Sequence, residues 1–430
     1  MVKDKFNKYR IQITKFLKER DYDRIDTGIE LARNLDESNV FEALLEGCSI
    51  SEEGVLVRSN LFSGTGPAQP FLDYALLNLI GYAPDNSNIH KTLKRNQITK
   101  LDLPELHWTL LPSSISLLTD LTKLNLSNCQ ELISIDAISS CTKLIDLNLY
   151  NCKSLDSVKA LSGMNKLVYL NIGADHFDTT NTLAHIDELS GCIALTELDL
   201  SACKTIQNVD GLNNCKDLST LDMHWCESIE NINGLKNCKN LTKLNLEGAY
   251  LIENIDLLAN CTKLTELNLC GLDLIQSLEG IANCKELIDL NFECTYFDTL
   301  PKGIDKIPHL QYLNLNSCPS IQNLDPLLNC TELIHINLSK CDDLENIDAL
   351  TTCTKIIKLD LSSCNKLPHL DPLKYLKNIV ELDISSCVLL ENVDGLINCI
   401  KIKDLTMIGC LRLINLNGLE KCTILTELDL

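Results

Sequence analysis

The 430-residue chain is 45% hydrophobic and only 5% aromatic, so leucine and isoleucine must supply most of its buried surface. Its formal net charge of −21 disfavours nucleic-acid binding, because such a field repels phosphate backbones. No run of eighteen apolar residues occurs, and the charged opening MVKDKFNKYR does not read as a signal peptide. We therefore expect a cytoplasmic protein that does not associate with membranes.

Residues 1–97 do not repeat, and they carry apolar residues at helical spacing. The spacing is seen at Ile25, Ile29, Leu31, Leu35, Phe41 and Leu44. A loop rich in Gly and Pro follows, and then a second apolar helix, FLDYALLNLIGYAP. We predict an α-helical N-terminal domain over residues 1–97 that caps the downstream array, with a separate recognition role as the alternative.

Residues 98–430 form an array of similar units, most of them 23 residues long. The full units open at Leu121, Leu144, Leu167, Leu195, Leu218, Leu241, Leu264, Leu287, Leu310, Leu333, Ile356, Ile379 and Ile402, after an irregular unit at Ile98 and before a half unit at Leu425. The shared pattern is LxxLxLxxCxxLxxIxxLxxC. Its LxL alternation predicts one short strand, and the later three-residue intervals predict a tight helical or 3₁₀ return.

This pattern, as in LTELDLSACKTIQNVDGLNNCKD at residues 195–217, resembles the leucine-rich-repeat family. The resemblance implies an α/β repeat fold, a right-handed solenoid with a curved parallel β-sheet on its concave face and short helical or 3₁₀ returns on its convex face. CKSLDSV and CDDLENI are similar to plant immune-receptor and bacterial repeats, and NVDGL is closer to internalin-like repeats. No GxxxxGK[ST] phosphate loop is present, so an immune-receptor ATPase is excluded for this chain.

Nineteen of the 22 cysteines fall into two columns of the repeat. Nine lie eight residues after an opening residue: Cys129, Cys152, Cys203, Cys226, Cys318, Cys341, Cys364, Cys387 and Cys410. Ten lie three residues before the next one: Cys141, Cys192, Cys215, Cys238, Cys261, Cys284, Cys330, Cys353, Cys399 and Cys422. We interpret them as reduced thiols that pack as small apolar side chains, and the resemblance implies bonds from the first column to loop backbone. A metal or redox ladder is the alternative, but we expect no metal and no cofactor.

Partner contacts are expected at outward strand positions that differ between units. A nearly uniform Asn/Asp column four residues after each opening residue predicts a structural ladder of side-chain hydrogen bonds. The variable positions carry Tyr150, Tyr169, His224, Trp225, Glu247, Glu266, Tyr312 and His335. Aromatic residues among acids are suited to anchoring a basic protein, although each could also be an ordinary surface residue.

One unit is lengthened to 28 residues and breaks the pattern between Gly173 and Leu189. Its irregular loop contains His176, Phe177, Asp178 and His185. Irregular loops on regular scaffolds often carry function. A metal site at the two histidines and Asp178 is conceivable, but their spacing matches no recognised ligand set.

HExxH, GxSxG and dinucleotide-binding motifs are absent, so we predict that the chain is not an enzyme. Our main hypothesis is a protein–protein interaction scaffold that binds a basic protein on its acidic concave face. One alternative is an effector that acts in a host cytosol, or the sensor arm of a larger signalling or defence protein. Another is a substrate-recognition module associated with a ubiquitin ligase. The final residues, LTELDL, end inside a strand, so we expect that the sequence is truncated from a longer protein. If it is not, we expect a monomer, or a weak dimer that pairs through the uncapped C-terminal strand.

Overall fold

The computed structural model describes residues 23–24, 26–27, 48–50, 56–58, 98–175, 182–275, 279–300 and 303–430. The chain forms two compact units, Met1–Asp199 and Leu200–Leu430. None of the helices in these described stretches has the length and hydropathy needed to cross a bilayer.

A short antiparallel hairpin lies near the start of the first unit. Strand β1 is Cys48–Ile50 and strand β2 is Leu56–Arg58. Residues 23–24 and 26–27 are α-helical. Helical spacing in residues 1–97 did not indicate this hairpin, and the rest of the predicted N-terminal cap lies outside the described residues.

The repeats of the first unit contribute five parallel strands that pair in chain order. They are β3 Lys100–Asp102, β4 Lys123–Asn125, β5 Asp146–Asn148, β6 Tyr169–Asn171 and β7 Glu197–Asp199. The strands alternate with 3₁₀ helices at Ser113–Leu117, Asp136–Ile138, Lys159–Gly163 and Asp187–Gly191.

The second unit contains ten further parallel strands, again paired in chain order. They are β8 Thr220–Asp222, β9 Lys243–Asn245, β10 Glu266–Asn268, β11 Asp289–Asn291, β12 Tyr312–Asn314, β13 His335–Asn337, β14 Lys358–Asp360, β15 Glu381–Asp383, β16 Asp404–Thr406 and β17 Glu427–Asp429. Its 3₁₀ helices are Asp210–Asn214, Asn233–Asn237, Asp256–Asn260, Glu279–Asn283, Ile304–Lys306, Asp325–Leu327, Asp348–Thr352, Asp371–Tyr375, Asp394–Leu396 and Asn417–Leu419.

Each strand is three residues long, and the chain turns after it. In β3 to β16 the central residue is buried, as at Leu244 and Leu267, and its two neighbours face outward. Three positions after the strand the backbone enters the left-handed region, as at Asn128 (φ 61°) and Ser317 (φ 58°), so the chain turns away from the strand direction. Register is strict, so Leu267 pairs with Leu290, 23 residues later.

The returns are 3₁₀ helices because three-residue intervals keep one side of a 3₁₀ turn apolar. Their first turn is bonded by a polar side chain two residues upstream. The N–H of Asp210 donates to Asn208 Oδ1 at 3.1 Å, and that of Asp394 donates to Asn392 Oδ1 at 3.0 Å. The sequence prediction of short helical or 3₁₀ returns is confirmed.

The first column of cysteines bonds each coil to the one before it. Cys226 Sγ donates to the carbonyl oxygen of Leu200 at 3.1 Å, and Cys364 Sγ donates to that of Leu338 at 3.2 Å. The same bond recurs at Cys129, Cys152, Cys318, Cys341, Cys387 and Cys410. The thiol therefore fills a small space and also supplies a weak hydrogen-bond donor.

Most cysteines of the second column bond in a similar way to the 3₁₀ helix of the preceding coil. Cys284 Sγ donates to the carbonyl oxygen of Leu258 at 3.4 Å, and Cys399 Sγ donates to that of Leu373 at 3.2 Å. The cysteines from Cys129 to Cys422 are all free thiols. Burial raises the pKa of Cys284 and of Cys399 to about 12, so these thiols stay neutral.

Neutral buried thiols predict sensitivity to alkali. Burial also raises the pKa of Cys238 to about 12, so the folded state holds its proton where an unfolded thiol, with a pKa of about 9, has lost it. The stabilisation is complete below about pH 8 and falls as the pH rises toward about 12, by about 1.4 kcal/mol per pH unit for each such thiol. Urea unfolding at about pH 7.5 and at about pH 10 measures how much free energy of unfolding is lost between the two pH values. This loss should be about 1.4 kcal/mol smaller in Cys238→Ala than in the natural protein. Equal losses in the two proteins would contradict this account.

Candidate protein-binding surface

We define the strand face as the outward residues of each coil: the first and third residues of the strand and the residue two positions after it. In the second unit, the first residues of β8 to β11 lie side by side in register. They are Thr220, Lys243, Glu266 and Asp289. Outward strand residues therefore form columns that run across the repeats.

The uniform Asn/Asp column has a structural role, as the sequence indicated. Asn245 Oδ1 accepts the N–H of Glu247 at 3.1 Å, and Asn291 Oδ1 accepts the N–H of Glu293 at 2.9 Å. These bonds run within one coil and close the turn after the strand. Bonds between neighbouring column members also occur, as from Asn171 Nδ2 to Asp199 Oδ2 at 2.9 Å. The predicted ladder is thus mainly a set of closed turns.

A shallow groove of about 360 Å³ lies over β8 to β11. Its lining includes the carboxylates of Asp222, Glu266 and Asp289 and one ammonium group, that of Lys243. Lys243 Nζ pairs with Glu266 Oε1 at 2.7 Å. Loss of hydration raises the pKa of the Asp289 carboxyl, and the negative charge of Glu266 raises it further. The groove is therefore a site of net negative potential.

Two more carboxylates lie beside the groove, in the turns that follow the strands. Asn268 Nδ2 donates to Glu247 Oε2 at 3.1 Å. Glu293 accepts from Asn314 Nδ2 at 3.0 Å and from Asn316 Nδ2 at 2.6 Å. These hydrogen bonds hold both carboxylates in place, so the side chains have lost rotamer freedom before any partner arrives.

Two of the residues singled out from the sequence form an aromatic pair on the strand face. Tyr312 opens β12 and His335 opens β13, and their rings meet edge to face with centroids 5.0 Å apart. A third, His224, follows β8, and its Nδ1 lies 2.7 Å from Oδ1 of Asp222, one of the groove carboxylates.

Trp225 lies beside the strand face, in the turn after β8. Its φ of 59° is left-handed, which is rare for a bulky residue. The indole packs edge to face on Tyr250, with ring centroids 6.0 Å apart. It also covers Gly248, where an added Cβ would lie 3.0 Å from Trp225 Cε3. The aromatic patch near Trp225 is therefore built by the turns and not by the strands.

Tyr150 and Tyr169 belong to the strand face of the first unit. Tyr169 opens β6, and its hydroxyl lies 3.5 Å from Asn171 Nδ2. Tyr150 follows β5, and its N–H donates to Asn148 Oδ1 at 2.9 Å. The eight residues predicted as partner contacts on the concave face are thus divided between the two compact units.

The irregular loop is described only in part. His185 is exposed and precedes the 3₁₀ helix Asp187–Gly191. His176, Phe177 and Asp178 lie outside the described residues. Within the described stretches no three His, Cys, Asp or Glu side chains are arranged to hold a metal ion. The expectation of no metal and no cofactor stays a prediction.

Sequence reasoning missed Asp289, Glu293 and Tyr250. The first two had a signal that could have found them. Asp289 lies one 23-residue period after Glu266, and Glu293 lies two periods after Glu247, so both repeat positions that were already singled out. Tyr250 had no such signal, because its contact with Trp225 depends on the left-handed turn.

One family model matches part of the array. A family model for the leucine-rich-repeat domain of the endo-β-N-acetylglucosaminidase EndoS matches residues 194–292. No curated protein matches the sequence at a significant level.

Solved structures extend the likeness over most of the chain. Internalin InlF of Listeria monocytogenes is similar with a TM-score of 0.59 and 17% identity, over 84% of this chain and 94% of that one. A leucine-rich-repeat protein of Leptospira interrogans is similar with a TM-score of 0.53 and 20% identity, over 81% of this chain and 86% of that one. The chain therefore has the leucine-rich-repeat fold. The solenoid that the repeat predicted is confirmed.

This leucine-rich-repeat fold generally serves as a protein-interaction scaffold, and its members typically bind partners without catalysing reactions. A complex of TLR13 with the RNA ssRNA13 is also similar, with a TM-score of 0.51 and 19% identity, over 78% of this chain and 55% of that one. Our expectation that no nucleic acid binds this chain depends on its charge alone.

Packing of Trp225 over glycine gives a testable contribution to stability. Gly248→Ala places a Cβ against the indole at a φ of 71°, so we expect a loss of about 2 kcal/mol in the free energy of unfolding. Gly409→Ala is the matched control, because Gly409 has the same place in the repeat and a φ of 80° but meets only Ser386. Its loss should be about 1 kcal/mol. In a Trp108→Phe background, only Gly248→Ala should shift the fluorescence of Trp225. A shift in both variants would show that the effect is not local.

Proposed function

We propose that the chain is a non-catalytic scaffold whose strand face in the second unit binds a basic segment of a partner protein. The observation that carries the proposal is the set of carboxylates at one place on the strand face. Asp222, Glu266 and Asp289 line the groove, and Glu247 and Glu293 border it. Among these groups and the groove lining, Lys243 supplies the one positive side chain.

Electrostatic repulsion within the groove favours a cationic ligand. The raised pKa of Asp289 reflects reduced hydration and the nearby charge of Glu266. Arginine or lysine from a partner relieves that repulsion. The carboxylates of Glu247 and Glu293 are already oriented by asparagine side chains, so less side-chain entropy is lost on binding.

Charge alone supplies little affinity, because exposed ion pairs contribute about 0–1 kcal/mol each. The aromatic pairs provide apolar contact next to the acids. Trp225 with Tyr250, and Tyr312 with His335, present ring surfaces to which an arginine can stack. Large aromatic side chains of this kind dominate the affinity of many protein interfaces.

Binding of a synthetic arginine-rich peptide tests the proposal. We expect Glu266→Gln combined with Asp289→Asn to weaken binding by about tenfold, because two charge contacts in a groove are together worth about 1–2 kcal/mol. Affinity of the natural protein should also fall between about 50 mM and about 300 mM salt. Fluorescence anisotropy of the labelled peptide measures both effects.

The matched control neutralises two acids away from the strand face, Glu279 and Glu286, with Glu279→Gln and Glu286→Gln. Glu279 opens a 3₁₀ helix and Glu286 follows it, so the net charge changes equally while the groove is kept. If this control weakens the peptide as much as the groove variant, a local site is ruled out. If a single-stranded RNA binds the natural protein and competes with the peptide, the assignment of a basic protein partner is wrong.

A further inference from the structure

Two cysteines of the second unit lie outside both structural columns, and they lie in adjacent coils. Cys270 is two positions after β10, and Cys294 is three positions after β11. Cys270 is half-buried and Cys294 is exposed, whereas the column thiols of this unit are buried except for the half-buried Cys410.

The hydrogen bonding between these coils brings the two residues together. The N–H of Gly271 donates to the carbonyl oxygen of Glu293 at 2.8 Å, which joins the peptide link after Cys270 to the one before Cys294. With coils about 4.8 Å apart and consecutive Cα atoms about 3.8 Å apart, a diagonal pair has Cα atoms about 6 Å apart. This separation lies within the range that a disulfide spans.

The same interface lacks the thiol bonds that join other coils. In the coil that contains Cys294, Thr295 and Ile307 replace the two column cysteines. Thr295 Oγ1 donates to the carbonyl oxygen of Phe292 in its own coil at 2.6 Å. Neither column therefore provides a cysteine bond from this coil to the preceding one, and a covalent link here adds a connection that the pattern omits.

We propose that Cys270 and Cys294 are an oxidisable pair that forms an inter-coil disulfide with a low-molecular-weight disulfide as the oxidant. The exposed thiolate of Cys294 attacks one sulfur of the oxidant, the oxidant's S–S bond breaks, and the first small thiol leaves. Cys270 then attacks the Cys294 sulfur of the mixed disulfide, and the second small thiol leaves. Two protein thiols are oxidised, the oxidant is reduced to two small thiols, and the two protein protons end on them.

The surroundings of Cys270 control the second step. Loss of hydration raises the pKa of Cys270 to about 12, and the charges of Glu247 and Glu293 add to that rise. Only the thiolate attacks, so closure of the mixed disulfide should be slow at neutral pH. Its rate should rise about tenfold per pH unit between about pH 7 and about pH 9, where the thiolate fraction rises tenfold.

Treatment of the folded chain with 2-hydroxyethyl disulfide, an uncharged oxidant, tests the pair. We expect peptide mapping to find a mixed disulfide on Cys294 first and then a Cys270–Cys294 cross-link, with two hydrogen atoms lost and no adduct retained. Glu247→Gln should accelerate closure severalfold, because it removes a negative charge beside Cys270. That acceleration distinguishes a reacting Cys270 from one that only fills space.

The matched controls are single serine variants and a reference thiol. Cys270→Ser should stop at the mixed disulfide on Cys294, and Cys294→Ser should leave Cys270 unmodified over the same time. Cys410 is half-buried like Cys270 but belongs to a structural column, so it should not cross-link. A persistent mixed disulfide at all pH values, or cross-links among column cysteines at the same rate, would overturn the proposal.

Discussion

The apolar lining of one coil can be shielded from water only by the next coil, and this constraint governs the rest of the structure. A strand of three residues satisfies few of its own backbone groups, so its N–H and C=O groups must bond to neighbouring coils. The N–H of Leu246 donates to the carbonyl oxygen of Asn268 at 2.9 Å, and that of Leu269 donates to the carbonyl oxygen of Asn291 at 2.8 Å. Burial and hydrogen bonding therefore both require the 23-residue register. Any residue that stacks on its own copy one period later is subject to the same geometry.

Cysteine suits this geometry because it is small, apolar enough to bury and still able to donate a hydrogen bond. At Cys226 and Cys284 the thiol bonds to a carbonyl oxygen of the preceding coil. Burial keeps such thiols neutral, which explains why so many can stack without mutual repulsion. Their place in the fold is structural, and reactivity is concentrated where the columns are interrupted. At that interruption Cys294 is exposed and Cys270 lies diagonally across the coil interface.

The proposed binding surface consists of the positions that the repeat leaves free. Stacking constrains the inward residues and the Asn/Asp column, because the latter closes each turn. Neither stacking nor turn closure fixes the residue type at the first strand position or at the turn position. In β10 and β11 and the turns after them, these positions include Glu266, Asp289 and Glu293. Acids there repel one another, and the fold tolerates the repulsion because these side chains remain at the surface. A basic partner is the chemistry that such a surface favours.

From the sequence alone, the 23-residue period determined the solenoid, the position of every strand in the array and the two cysteine columns, because stacked copies must bury the same positions. It also indicated the uniform Asn/Asp column and Glu266, since an alternating strand has only two sides. The tertiary structure alone decided the contact of Trp225 with Tyr250. These residues follow a strand, where the backbone turns left-handed and side-chain direction no longer alternates. Periodicity in sequence specifies which coils are neighbours, but the φ of the turn specifies which side chains meet.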